Sequence, residues 1–285
     1  MPADQRRING PDASHSYKLY SKEYLQALEN QLNRTDRGNE ESRKIFIESG
    51  ILSNSRGSAY IEMGNTKVTV AVVDPREIPK NNKYREEGDL YCDFKFSPFS
   101  CVKRKLPQTD AEEKSYALAL KRALQPAVCR YTFPNFQVDV LVNVLENDGS
   151  ALAAAITAAG LALSDAGIPM YDVITAACIG ISEDKFLVDP TGAEEEICNL
   201  VGSVHGTITM ARLSRLEQIS EVFQSGFLPL DTVKKGCEIL LKTNQDIAPL
   251  VQQLISKKVT KQVKANKLAE LERMEVTIIK EEKME

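Results

Sequence analysis

The sequence has no tryptophan and only two histidines, His15 and His205. So few histidines leave little room for a histidine-based triad or metal centre. The six cysteines, at 92, 101, 129, 178, 198 and 237, form neither a CxxC motif nor a Cys/His cluster. That spacing speaks against zinc and for free thiols in a reducing compartment, cytosolic or nuclear. No apolar run is long enough to span a membrane, because the Ala-rich stretch stops at Ser164-Asp165, and no secretory leader is expected. Excess positive charge is missing too. With 36 Lys and Arg against 40 Asp and Glu, the formal net charge is −4, so contact with nucleic acid has to come from a local basic patch. Against these absences stand 285 residues, 42% of them hydrophobic and 27% charged, which fits a folded protein with a substantial core in at most about two domains.

Residues 137–170 organise the rest. Val138, Val140, Val142 and Val144 alternate with Asp139 and Asn143, the period-two pattern of a strand with one dry face. Asp148-Gly149-Ser150 supplies turn and N-cap chemistry. Residues 151–163 have no polar side chain except Thr157, so the predicted helix is enclosed on nearly all sides. A helix N-terminus gathers free N–H groups and positive potential, which makes this corner a possible phosphate seat.

Elsewhere the chain reads as follows. Residues 1–16 form a polar arm, and Tyr17, Tyr20, Tyr24, Leu28 and Leu32 recur at helical spacing. Strands are expected over 43–49, over 57–63 and 67–73 joined at Gly64-Asn65, and over 89–96. The strand at 67–73 is apolar enough to be central and covered on both faces. A helix is expected over 111–124, capped by Thr109-Asp110 with Tyr116, Leu120 and Leu124 inward. Strands follow at 173–181, 185–188 and 196–200. Residues 203–213 are expected to turn at His205-Gly206, which makes His205 a hairpin-tip residue. Helices are expected over 215–225 and 231–255. Residues 256–267 hold five Lys and no acid, and read with the remaining residues as a charged helical extension. The element order is that of an α+β fold and not of a doubly wound parallel sheet.

The stretches GSAYIEMGNTKVTVAVVDPRE (57–77), CDFKFSPFSCVKRK (92–105), VDVLVNVLENDGSALAAAITAAGLALSDAGIPMYD (138–172) and FLVDPTGAEEE (186–196) together resemble an RNase PH-type domain. The SPFSC and LENDGSALAAA variants are most similar to a subunit of the eukaryotic RNA exosome ring. The resemblance implies an RNase PH-like fold over residues 37–255, built on a ribosomal protein S5 domain 2-like core with mixed sheets and packed helices. Residues 1–36 would be an N-terminal extension and 256–285 a C-terminal helical tail. As partners it implies other RNase PH-like exosome subunits in a six-member ring, S1/KH-type cap proteins and single-stranded RNA, with no DNA and no membrane. It also implies RNA degradation and rRNA processing in nucleus, nucleolus and cytoplasm.

Active members of this family cleave RNA from the 3′ end with inorganic phosphate. Two anions must meet, so fixed cations are needed, and a carboxylate pair holds a Mg²⁺ that steadies charge on the oxygens. In active members an Arg grips phosphate just after an Asp-Gly corner. By gap-free counting that position is Leu152 here, with Ala151 at the preceding hydroxyl position. Asp148, Gly149 and Ser150 keep the turn, and Ser150 is still able to cap. The Asp pair becomes Asp189 and Glu195, whose longer side chain displaces the oxygens by about an ångström, enough to misplace a metal held to near-octahedral geometry.

These residues are therefore expected to be relict phosphate and metal positions, with no catalytic residue, metal or cofactor. Lys103, Arg104 and Lys105 are the candidate RNA contact, or else an ordinary charged loop. The lysines from Lys257 to Lys267 read as a solvated helix face, with RNA or an acidic partner as the alternative. The expected function is a non-catalytic structural subunit supporting ring assembly and an RNA channel. The alternatives are an active phosphate-dependent 3′-to-5′ exoribonuclease and a free single-stranded RNA-binding module.

Overall fold

The computed structural model describes residues 34, 37–78, 84–102, 104–183, 185–200 and 204–282, with side chains described through residue 264 except that of Leu200. Its contacts separate two compact units, Met1–Gly38 and Asn39–Glu285. The helix expected over 17–34 lies, but for its last residue, outside the described residues, as does Lys103.

The second unit holds two sheets. Strands β1 (Ile45–Ser49), β2 (Gly57–Met63), β3 (Thr66–Val72), β4 (Arg76–Glu77), β5 (Asp89–Phe96) and β6 (Phe136–Glu146) form the first. β1, β2, β3 and β6 lie side by side and antiparallel. β5 runs parallel to β6, and β4 pairs antiparallel with its start. The alternation along β6 is realised from Val140 on, where Val140 and Val144 are fully buried and Leu141 and Asn143 face outward; Val138 is buried as expected, but Asp139 is buried beside it, its carboxylate accepting the Gln137 side-chain amide at 2.7 Å. β3 is central as expected. Its second face is only half covered: Lys67, Thr69 and Ala71 are part-exposed.

The second sheet is antiparallel, in the order β10-β9-β7-β8, from β7 (Ile174–Ser182), β8 (Lys185–Val188), β9 (His205–Leu213) and β10 (Gln218–Phe227). Between the sheets lies helix α2 (Ala151–Asp165), which packs on β2 and β3 one way and on β7 the other. Its small side chains allow this double contact. A Cβ on Gly160 would lie 2.6 Å from Cγ2 of Ile174, so only glycine fits there. Thr157, the polar exception, is satisfied internally: its hydroxyl donates to the Ala153 carbonyl at 3.0 Å and accepts from the Ala176 N–H at 3.0 Å.

Helix α1 (Ala111–Leu124) packs on β5. Its first turn is fastened by Glu113, whose carboxylate accepts the N–H groups of Asp110 and Phe96, both at 2.9 Å. Helix α3 (Gly192–Leu200) follows β8, and α4 (Leu230–Glu282) packs on β7 and β9 before running on unbroken through residue 256. No helix among the described residues is long and apolar enough to cross a membrane. The architecture is the α+β fold of mixed sheets and packed helices expected from the sequence.

Three local expectations are corrected. Residues 196–200, expected as a strand, belong to α3. The helix is nucleated by a reciprocal cap, in which the Glu194 carboxylate accepts the Thr191 N–H at 2.9 Å while Thr191 Oγ1 accepts the Glu194 N–H at 3.5 Å. Residues 215–225, expected as a helix, are mostly β10. A bulge between Ile219 and Glu221 shifts the strand's alternation, so its apolar residues fall at a spacing that imitates a helix. His205 is not at a hairpin tip; it is the first residue of β9, paired with Phe227 on one side and Ser182 on the other. The turn comes later, between Leu213 and Gln218.

Candidate functional site

The corner after β6 faces the loop after β8, and Arg43 just ahead of β1 enters between them. Three residues here have left-handed backbone: Gly149 (φ 80°), Ser150 (φ 56°) and Asp189 (φ 50°). Gly149 is required twice over. Beyond its φ, a Cβ there would stand 2.4 Å from the Pro190 carbonyl oxygen. This close approach lets the two loops share hydrogen bonds.

Arg43 was not singled out in the sequence as a site residue, yet it holds the site together. Its Nε donates to Asp189 Oδ2 at 2.8 Å and its Nη2 to Asp189 Oδ1 at 2.7 Å, a bidentate pair. Its backbone N–H adds a third bond to Oδ2, at 3.0 Å. Nη1 donates to the Asp148 carbonyl at 2.8 Å and approaches Thr66 Oγ1 at 3.4 Å, and Nη2 reaches the Gly149 carbonyl at 3.3 Å. All of its side-chain donor nitrogens are thus engaged. The Arg43 and Asp189 side chains are 8% and 4% exposed, so the pair is withdrawn from solvent.

Burial and pairing set the charges. Burial opposes the Arg43 charge, but the hydrogen bonds and charge of Asp189, helped by Asp148 and Glu194, prevail and hold its pKa above the ordinary value. Burial pushes the Asp189 carboxyl up, and the Arg43 bonds and charge more than reverse it, so it stays below the usual carboxylate range.

The phosphate seat expected at the start of α2 is filled from within. Glu195 Oε2 accepts the Ser150 N–H at 3.2 Å. Glu195 is part-exposed as a residue, yet desolvation of its carboxyl group dominates and raises its pKa against the opposing Ser150 bond. Ser150 does not cap through its side chain as expected; it occupies the N-cap place, but its hydroxyl donates to the Pro190 carbonyl at 3.3 Å. Asp148 is likewise engaged, Oδ1 accepting the Gly192 N–H at 3.1 Å and Oδ2 the Asn65 amide at 3.2 Å. Leu152 is 4% exposed and part of the apolar core.

This arrangement does not fit a divalent cation. Both oxygens of Asp189 are turned onto a guanidinium, and those of Asp148 and one of Glu195 point at N–H donors. A metal would have to displace Arg43, and a phosphate would meet the carboxylates of Asp148, Asp189 and Glu195 with Arg43 already bound to Asp189. Through these bonds Arg43 ties the start of β1, the β6–α2 corner and the β8–α3 loop into one buried knot.

The other candidates lie apart from this knot. Lys105 is turned back onto its own protein, 2.8 Å from Glu112, 3.7 Å from Asp110 and 5.0 Å above the Phe96 ring. Arg104 is exposed. In the C-terminal lysine run, Lys258 pairs with Asp165 at the end of α2, whereas Lys257, Lys261 and Lys264 are exposed. The six cysteines are free thiols.

The model of the 3′ exoribonuclease family, domain 1 (RNase PH) matches residues 41–169. Exosome complex component MTR3 of Homo sapiens is 35% identical over 269 residues, covering 89% of this chain and 94% of that protein. MTR3 of Mus musculus is 37% identical over 242 residues, 79% of this chain and 84% of that protein. Among solved structures, rice Rrp46 superposes with a TM-score of 0.66 at 24% identity, covering 77% of this chain and 98% of its own, a likeness of fold. The element order, the Asp148-Gly149 corner and these matches together place the chain in the RNase PH-type 3′ exoribonuclease family.

Proposed function

We propose that this protein is a non-catalytic structural subunit of an RNA exosome ring. The observation that carries the reading is the bidentate Arg43–Asp189 pair. In a family whose chemistry calls for free cations and a metal-ready carboxylate, here Arg43 and the buried Asp189 carboxylate neutralise each other. Leu152, buried in α2, supplies no charge in exchange. Likeness to MTR3 over most of both chains supports a place in the exosome core.

An assembly role is supported by the surface. Ile219 (48% exposed), Val222 (41%) and Phe227 (69%) stand out along β10, the outermost strand of its sheet. An apolar edge strand is a liability for a lone chain and an asset for one that pairs with neighbours. In this reading the neighbours are other RNase PH-like subunits in a six-member ring capped by S1/KH-type proteins. RNA is led past Arg104 and Lys105 towards a nuclease elsewhere in the complex, for RNA degradation and rRNA processing in nucleus, nucleolus and cytoplasm.

The test is reconstitution. Purified chain is mixed with RNase PH-like exosome subunits, followed by sedimentation, and assayed for phosphate-dependent release of nucleoside diphosphates from RNA 3′ ends. Entry into the ring is expected, with no release by the chain itself and none gained on Leu152→Arg, because Arg43 still occupies Asp189. Release that is lost on Asp189→Asn would establish the active exoribonuclease instead. A monodisperse monomer that binds RNA and ignores these partners would establish a free RNA-binding module.

A further inference from the structure

A cavity of about 430 Å³ opens between β1 and α4, lined by Ile47 and Ser49 on the strand and by Leu254, Lys257 and Lys261 on the helix. It lies outside the Arg43 knot, and the role proposed above makes no use of it. β1 is the end strand of its sheet. Its bonds to β2 are bracketed by Gly64 N–H to Lys44 O at 3.2 Å and Gly50 N–H to Ser58 O at 2.8 Å. In an antiparallel ladder bonded residues alternate, so Phe46 and Glu48 turn their N–H and C=O groups to β2, and Ile45, Ile47 and Ser49 turn theirs to the open edge. Among the described residues those outward groups meet no partner.

The opposite wall is cationic. Lys258 is committed to Asp165, but Lys257 and Lys261, one helical turn apart, make no ion pair among the described residues. The floor between the walls is apolar, from Ile47 and Leu254. We propose that this groove docks an extended acidic peptide of a partner protein, which adds as a strand to the open edge of β1 and sets its carboxylates against Lys257 and Lys261.

Peptide is favoured over RNA by the groove's own chemistry. The exposed row of N–H and C=O groups complements another polypeptide backbone, which returns both donors and acceptors. A phosphodiester chain offers acceptors only and would leave the outward carbonyls unpaired. Strand addition supplies register and the two lysines supply selection by charge.

The full-length chain is titrated with a fluorescein-labelled peptide alternating glutamate and valine, at low salt. Binding is expected, with slowed amide exchange at Ile45, Ile47 and Ser49. Two changes should each weaken it by roughly tenfold or more: the double variant Lys257→Glu/Lys261→Glu, at exposed sites whose folding is checked by circular dichroism, and N-methylation of alternate peptide amides. Equal binding of the N-methylated peptide, protection that appears away from β1, or displacement by an oligouridylate acting at the same lysines would each overturn the proposal. So would self-association of the chain through β1 that the peptide leaves untouched.

Discussion

The knot around Arg43 and the loop carrying Arg104 and Lys105 both gather charge, and they differ in what lies around it. At Arg43 the ion pair is enclosed and its donors are answered by carboxylate and carbonyl oxygens. At Lys105 the partner Glu112 is half exposed and water competes for each charge. Short distances occur in both places. Burial decides which of them matters, because a buried charge that loses its partner has no water to turn to.

The sharpest way to break that comparison is Arg43→Met. It keeps bulk but strands the Asp189 carboxylate, and the expected loss is about 3–5 kcal/mol of stability by urea unfolding. The double variant Arg43→Met/Asp189→Asn, which removes the stranded charge while keeping a side chain that tolerates left-handed backbone and an oxygen for the backbone N–H at position 43, should recover much of it; a loss for the single variant no larger than at Lys105 would erase the contrast. Next in size is Gly149→Ala, which forces a side chain into left-handed backbone against Pro190 and should cost at least roughly 1–3 kcal/mol in the same measurement.

Glu195→Gln acts in the other direction. Its folded pKa is raised, so below the unfolded value of about 4.3 both states are protonated and the substitution changes little. As pH rises through the folded pKa the native protein loses stability, because ionisation is easier in the unfolded chain. Gln keeps an oxygen for the Ser150 N–H and carries no charge. The variant's melting temperature should therefore exceed the wild type's by a margin that is absent near pH 4 and grows to a plateau. Asp189, with its depressed pKa, has the opposite linkage: its stabilisation is full above about 3.9 and fades as pH falls through its folded pKa. The smallest effect is expected for Lys105→Gln, under about 1 kcal/mol and reduced further by salt.

Much of the fold was legible because it is written in local periodicity. The valines of β6, the all-apolar run of α2 and the Gly64-Asn65 corner each declare an element without reference to distant residues. β10 was not legible, since one bulge is enough to turn alternation into apparent helical spacing. At the site, Asp148, Gly149, Asp189 and Glu195 were found from the corner and the resemblance, and they do converge. Arg43 was missed because nothing near it in sequence explains it. The available signal was indirect: if the gripping cation is replaced by Leu152 while Asp189 remains, the buried carboxylate needs another cation, and that requirement could have prompted a search for one.

Arg43 and Asp189 are 146 residues apart in sequence. At translation rates of about 5–20 residues per second, roughly 7–30 s separate the appearance of the first from that of the second. For that interval the β1–β2–β3 hairpins can form, but the guanidinium has no carboxylate to meet. A chain that stops before Asp189 is thus left with an unsatisfied cation beside a half-built core, a state readily opened to proteases. The Arg43–Asp189 pair therefore marks the point in synthesis after which the first sheet and the β8–α3 loop can be joined.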